Sequence, residues 1–196
     1  MSRTIGFDLD MTLIDSRPGI RAVYEELSRQ TGVFIDAELA VSRLGPPLTW
    51  ELQHWFPTDV VPEMFTRYRA MYQEIAVPRV LAMPGAAEVL AAAQELGRAI
   101  VITAKNASNA EHHLAHLALP HDAVIGDAWR EQKSEVLMHH GADTYVGDHV
   151  HDMDAARIAR VTGIGVTTGP CSADELSEAG ADHVVPDLDA VRALLR

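Results

Sequence analysis

The chain holds a single cysteine, Cys171, so no internal disulfide can staple it. It has no apolar run of about 18 residues to cross a bilayer and no signal-peptide pattern, so the expectation is a cytoplasmic protein with no membrane partner. Positive charge is scarce. Sixteen Lys and Arg stand against 28 Asp and Glu, a formal net charge of −12. A nucleic-acid backbone requires clustered cations, so this balance argues against a nucleic-acid partner. One small phosphorylated ligand is still compatible, because a metal ion and one or two cations can reverse the sign locally. Lysine is scarcest of all: Lys105 and Lys133 are the only two, beside 14 arginines. A compact ammonium does what a planar guanidinium does not, which makes both lysines worth following.

The remaining composition is that of a folded chain. Hydrophobic residues make up 47% and charged residues 22%, without repeats or low-complexity tracts. A chain of 196 residues can bury roughly 70% of its unfolded surface, enough for one full domain and a small accessory one. Oligomeric state is not readable from it.

Short apolar runs bounded by turn residues predict strands at 3–9, 98–103, 123–126, 143–147, 164–167 and 183–185. Helical patterns fall between them at 85–96, 106–117, 134–140, 151–161, 172–179 and 187–195. This alternation predicts a Rossmann-like, doubly wound α/β fold with a mostly parallel sheet. It is interrupted between Asp15 and Leu81. There Ile20, Val23, Tyr24 and Leu27 fall at i, i+3, i+4, i+7, with Gly32 as the stop, and further helices are predicted at 36–43, 48–55 and 59–75. The expected organisation is an α/β core domain of residues 1–15 plus 82–196, with an inserted α-helical cap domain of residues 16–81.

In an open α/β sheet the ligand site lies beyond the carboxyl ends of the strands. The first predicted strand delivers Asp8 and Asp10 there, the second Thr103 followed by Lys105, and the fourth Asp148 with Asp152 close behind; Lys133 opens the helix after the third. Carboxylates this close raise one another's pKa unless a cation sits among them. A hard divalent ion, most simply Mg²⁺, resolves the repulsion. Carboxylates, a hydroxyl, a lysine and Mg²⁺ together suit phosphoryl transfer.

These residues carry a resemblance to the haloacid dehalogenase superfamily, and within it to the phosphoglycolate-phosphatase-like group with a helical cap. The matching stretches are Asp8-Leu9-Asp10-Met11-Thr12, Thr103 after Ile100-Val101-Ile102, Lys133, and Gly147-Asp148-His149-Val150-His151-Asp152. Leu44-Gly45-Pro46-Pro47-Leu48 and Met83-Pro84-Gly85 extend the likeness over nearly the whole chain. The resemblance implies Mg²⁺-dependent hydrolysis of a small phosphate monoester, such as a phosphoglycolate-like ester, a sugar phosphate or a nucleotide, through a phosphoaspartate. It implies that Asp8 is the nucleophile and that Asp10 is the general acid and base. Asp8, the Asp10 carbonyl, Asp148 and Asp152 would hold the metal. Thr103 and Lys133 would hold the phosphate, and Thr12 would support the loop. Substrate or phosphate contacts are further expected from Thr12, Ala104, Arg17, Arg43, Gly45, Pro46 and His149. Three departures from the family pattern, Met11 for glycine, Ser134 for proline and His149 for Ser or Thr, argue against a close assignment to phosphoglycolate. The alternatives are a phosphosugar mutase of the same superfamily, or a noncatalytic phosphometabolite-binding protein, which would be expected to have lost Asp8, Asp10 or Lys133.

Plainer readings apply elsewhere. Glu111, His112, His113 and His116 are expected to form a solvated helix face rather than a metal site, with Leu114 and Leu117 buried. Trp50, Trp55 and Phe56 are expected to pack inside the cap. Arg17, Arg43, Arg67 and Arg69 are candidates to meet a substrate anion, of which one or two would matter.

Overall fold

The computed structural model describes residues 2–195. In chain order the elements are β1 (Arg3–Phe7), β2 (Ile14–Asp15), α1 (Arg17–Thr31), α2 (Ala37–Ser42), α3 (Leu48–Leu52), α4 (Val61–Ala76), β3 (Leu81–Ala82), α5 (Ala86–Leu96), β4 (Gly97–Ile102), α6 (Ala107–His116), β5 (Ala123–Ile125), α7 (Glu131–His139), β6 (Thr144–Gly147), α8 (Val150–Ala159), β7 (Thr162–Val166), α9 (Ala173–Glu178), β8 (His183–Val185) and α10 (Leu188–Leu195). Six strands form one sheet in the order β5-β4-β1-β6-β7-β8. Every pairing in it is parallel. Among the described residues no helix is long and apolar enough to cross a membrane.

Strand β1 lies at the centre with Thr4 to Phe7 buried on both faces. Ile5 and Phe7 pack with Val89, Leu90, Val101, Val146 and Val191 on one face of the sheet. On the other, Ile100, Ile102 and Tyr145 pack with Leu137, Ala155 and Ala156. The chain crosses from β1 to β4 on one side and later reaches β6 on the other, so the ends of β4, β1 and β6 lie side by side. This is the topological switch point at which ligand sites form in doubly wound sheets.

Helices α1 to α4 bury their apolar faces in a cluster of their own, with Ile20, Val23, Tyr24 and Leu27 of α1 facing Met64, Tyr68 and Tyr72 of α4. Gly32 ends α1 in the left-handed region at φ 71°, and its N–H bonds Ser28 O. The chain leaves and rejoins the sheet side by side. There Ile14 pairs with Ala82 and Asp15 with Leu81 in a two-residue antiparallel ladder, too short to leave a periodic signal in the sequence.

Two expectations fail locally. Trp50 is 41% exposed rather than packed, whereas Phe56 is buried. Helix α7 begins at Glu131, three residues before the predicted start, which places Lys133 within its first turn.

Helices α1 and α4 cross closely at Gly19, where a Cβ would lie 2.7 Å from the Ala76 carbonyl oxygen and 3.0 Å from its Cα. Backbone cannot yield as a flexible side chain does, so Gly19→Ala should destabilise the fold by about 1–3 kcal/mol. Urea denaturation checks this; an unchanged midpoint would contradict the packing described.

Candidate active site

The backbone N–H of Asp8 bonds Val146 O at 2.8 Å, extending the ladder of β1 by one residue before the chain turns. The turn is held by Leu9, Leu13 and Ile14, all fully buried, and by hydrogen bonds from Leu13 N and Ile14 N to Leu9 O. Met11 takes up the reversal at φ 63°. That is a left-handed conformation in which glycine is comfortable and methionine strained.

Asp8 and Lys133 meet at 2.6 Å, and the same ammonium donates to Asp152 Oδ1 at 2.6 Å. Asp152 is oriented further by the Tyr145 hydroxyl at 3.2 Å and by the His149 N–H at 3.2 Å. The Thr12 hydroxyl donates to Asp148 Oδ1 at 2.9 Å. Oxygen atoms of Asp8, Asp148 and Asp152 lie within 4.8 Å of one another, and all three residues are buried. Burial pushes the Asp8 carboxyl up to about 7, although Lys133 pulls it down. Asp148 is raised well above the usual carboxylate range by burial and by the neighbouring Asp8 and Asp152. Burial opposes the charge of Lys133, but Asp152 and Asp8 hold its pKa well above the ordinary value. Three buried carboxylates around one ammonium leave two negative charges uncompensated. The deficit and the all-oxygen donor set fit a hard divalent cation.

A second network starts at Asp10. Its Oδ1 lies 3.1 Å from Lys105 Nζ, an ion pair without hydrogen-bond alignment, so this buried oxygen has no hydrogen-bond partner. Burial raises the Asp10 carboxyl, but the neighbouring Lys105 ammonium is the chief opposing influence, and the group stays below its ordinary value. Lys105 Nζ donates to the Tyr72 hydroxyl at 2.7 Å, and that oxygen lies 3.0 Å from His113 Nε2.

His113 corrects the expectation of a solvated histidine face: it is fully buried, while His112 and His116 are exposed. The signal was present in Ala110, His113, Leu114 and Leu117, which fall at i, i+3, i+4, i+7 with the histidine inside the apolar stripe. Lys105 had a place in the sequence reading but no assigned role.

Both networks open into one cavity of about 400 Å³ between the strand ends and the helical layer. Of the residues singled out from sequence, Asp8, Asp10, Thr103, Ala104, Lys133, Asp148, Asp152, His149, Arg43, Gly45 and Pro46 line it. Thr12 does not: it is fully buried and its hydroxyl is committed to Asp148. Nor does Arg17, which turns to Asp15 with two hydrogen bonds of 2.8 Å. Arg67 pairs with Glu63 on the surface, whereas Arg69 reaches the cavity. His149 packs beside His151, with ring centroids 4.7 Å apart, and His151 in turn meets Trp129 edge-on at 5.0 Å.

The sequence matches the haloacid dehalogenase-like hydrolase family over residues 5–166. It is 30% identical to a 5'-nucleotidase of Pseudomonas aeruginosa over 96% of this chain and 93% of that one. It is 29% identical to the protein named "Probable phosphatase IndB" of Dickeya dadantii, over 97% of this chain and 92% of that one. A solved haloacid dehalogenase-like family protein of Streptococcus pneumoniae superposes with a TM-score of 0.87 at 23% identity, covering 99% of this chain and 98% of that one, which establishes likeness of fold.

Burial, with Lys105 as the next cause, lowers His113 from 6.5 to about 4. The unfolded chain therefore takes up this proton first on acidification, and stability falls as pH drops from 6.5 towards 4, by up to about 1.4 kcal/mol per pH unit. His113→Gln, which cannot titrate, should show a shallower loss over this window in urea melts at stepped pH. An unchanged slope would contradict the buried, neutral assignment.

Proposed function

Because the chain belongs to the haloacid dehalogenase-like hydrolase family, we propose that it is a phosphatase, hydrolysing a small phosphate monoester through a covalent intermediate on Asp8. The observation that carries this reading is the placement of Asp8 and Asp10 in one cavity, with Asp8 hydrogen-bonded to a buried lysine and Asp10 beside a different one. The names of the two relatives, a 5'-nucleotidase and a phosphatase, agree with it.

On this reading an Asp8 carboxylate oxygen attacks phosphorus, and the bond from phosphorus to the leaving oxygen breaks. Asp10, whose free carboxyl Lys105 holds ionised, takes up a proton with the entering monoanionic ester and delivers it to that oxygen, and the alcohol departs. Asp10, now ionised, takes a proton from water as the water attacks phosphorus of the phosphoaspartate, releasing inorganic phosphate and restoring Asp8. Lys133 counters the charge of Asp8 and of the phosphoryl oxygens, and the Thr103 hydroxyl supplies a further contact. Asp8, Asp148 and Asp152, with the Asp10 main-chain carbonyl, would hold the metal, which on this reading would be Mg²⁺. When bound, Mg²⁺ supplies charge neutralisation for the phosphoryl group. Thr12 supports the site through Asp148.

The helical segment, residues 16–81, acts as a cap over the core of residues 1–15 and 82–196. It supplies Arg43, Gly45 and Pro46 to the cavity wall and excludes bulk water during the reaction. A phosphosugar mutase would return the phosphoryl group to substrate; nothing in the cavity favours that over transfer to water.

With Mg²⁺, the wild type should release phosphate from small esters, and a chelator should abolish the release. Asp8→Asn should lose at least about a thousandfold in kcat/KM. Asp10→Asn should lose about 10²- to 10⁴-fold. Full turnover by a folded Asp8→Asn variant would refute the assignment.

A further inference from the structure

Resting on the phosphatase reading and deepening it, we infer that the leaving group is uncharged and carries a flat ring, about the size of a nucleoside, and that esters with a second anionic group are rejected. The juxtaposition that carries this is an aromatic-walled cavity in which every lining Lys or Arg already faces a carboxylate.

Among the described residues, four Lys and Arg side chains line the cavity: Arg43, Arg69, Lys105 and Lys133. Lys133 belongs to Asp8 and Asp152, at the strand ends where the phosphoryl group would sit. The other three border the space left for the rest of the substrate, and none is free. Arg43 grips Glu51 through both nitrogens of its fork, with Nε 3.0 Å from Oε2. Glu51 is 6% exposed and also accepts the Trp55 indole N–H at 2.8 Å. Turning Arg43 towards a substrate anion would strand a buried carboxylate, which is strongly unfavourable. Lys105 is held between Asp10 and the Tyr72 hydroxyl. Arg69, at the rim, lies over the Phe65 ring at 4.6 Å and 3.6 Å from Asp127. An anion drawn to Arg69 would meet Asp127 as well.

Six carboxylates line the same cavity against those four cations, so even with the proposed Mg²⁺ bound no positive charge is left over for a second anion. A carboxylate or second phosphate on the substrate would lose its water and gain no unpaired cation.

The wall chemistry describes what fits instead. The partly exposed Phe65 and Trp129 offer ring surface, with Tyr68 buried behind them, and Asn106 and Asn109 offer amide groups to uncharged polar groups. About 400 Å³ lies within the range of pockets that enclose drug-sized ligands, and a two-carbon acid would leave most of it unfilled.

The test compares kcat/KM for three esters on the wild-type protein with Mg²⁺: phosphoglycolate, 2-hydroxyethyl phosphate and adenosine 5'-monophosphate. The first two are matched in size and differ in the carboxylate, so their ratio isolates charge; the third adds the ring. We expect 2-hydroxyethyl phosphate to exceed phosphoglycolate by at least about tenfold, and the nucleotide to exceed 2-hydroxyethyl phosphate by at least about tenfold. A smaller or reversed ratio in either comparison overturns the inference while leaving the phosphatase reading intact, whereas no release from any ester removes both. Glu51→Gln keeps an acceptor for Trp55 and releases Arg43 from its ion pair. In a folded variant the penalty on phosphoglycolate should shrink at least about threefold; an unchanged penalty overturns the part given to Arg43.

Discussion

Burying like charges together is the constraint around which this molecule is arranged. Asp8, Asp148 and Asp152 crowd within 4.8 Å at the ends of central strands, with Lys133 as the cation joining two of them. In water such a cluster would disperse. Here the parallel sheet fixes its spacing: β1 and β6 pair in register, Phe7 beside Val146, so the residues that follow are delivered to the same edge. The sheet can impose this because its own burial is apolar and extensive on both faces. Stability gained there offsets the cost of carboxyl groups that would rather be apart, a cost visible in the upward shifts of Asp8 and Asp148.

The other lysine solves a different problem. Lys105 joins the strand-end loop that carries it to Tyr72 of α4 and to Asp10, and Tyr72 in turn reaches His113 of α6. The acid assigned to proton transfer is thus tied to the helical layer through one ammonium and one phenol. A planar guanidinium would not fit as compactly between a carboxylate and a hydroxyl. That both lysines of an arginine-rich chain line the cavity, Lys133 buried and Lys105 partly so, follows from this geometry.

The sheet and the principal helices were legible because their signals are local and periodic. The alternation from Arg3 to Leu195, and the spacing of Ile20, Val23, Tyr24 and Leu27, depend on which residues are apolar and on little else. Residues at strand ends were legible for a related reason: Asp8, Thr103, Lys133, Asp148 and Asp152 follow directly from topology once the strands are placed, and their likeness to a known family ordered them. What was not legible depends on partners distant in sequence. Arg17 and Arg43 look alike as surface arginines, yet Arg17 folds back on Asp15 whereas Arg43 is fixed by Glu51 inside the cavity wall. His113 was misread because a polar residue within an apolar stripe is a statement about its neighbour, Tyr72, some forty positions earlier. The two-residue ladder of β2 and β3 carries no periodicity to detect.

The central claim is that Asp8 itself receives the phosphoryl group. Acetyl phosphate, whose leaving group needs no protonation, should load the Asp10→Asn variant while its hydrolysis is slowed. The direct measurement is mass spectrometry of acid-quenched, digested protein after brief exposure to acetyl phosphate and Mg²⁺. The account predicts a mass gain of one phosphoryl group on the peptide containing Asp8, lost in the Asp8→Asn, Asp10→Asn double variant. Phosphate release without any such adduct, or an adduct on another residue such as His149, would contradict it.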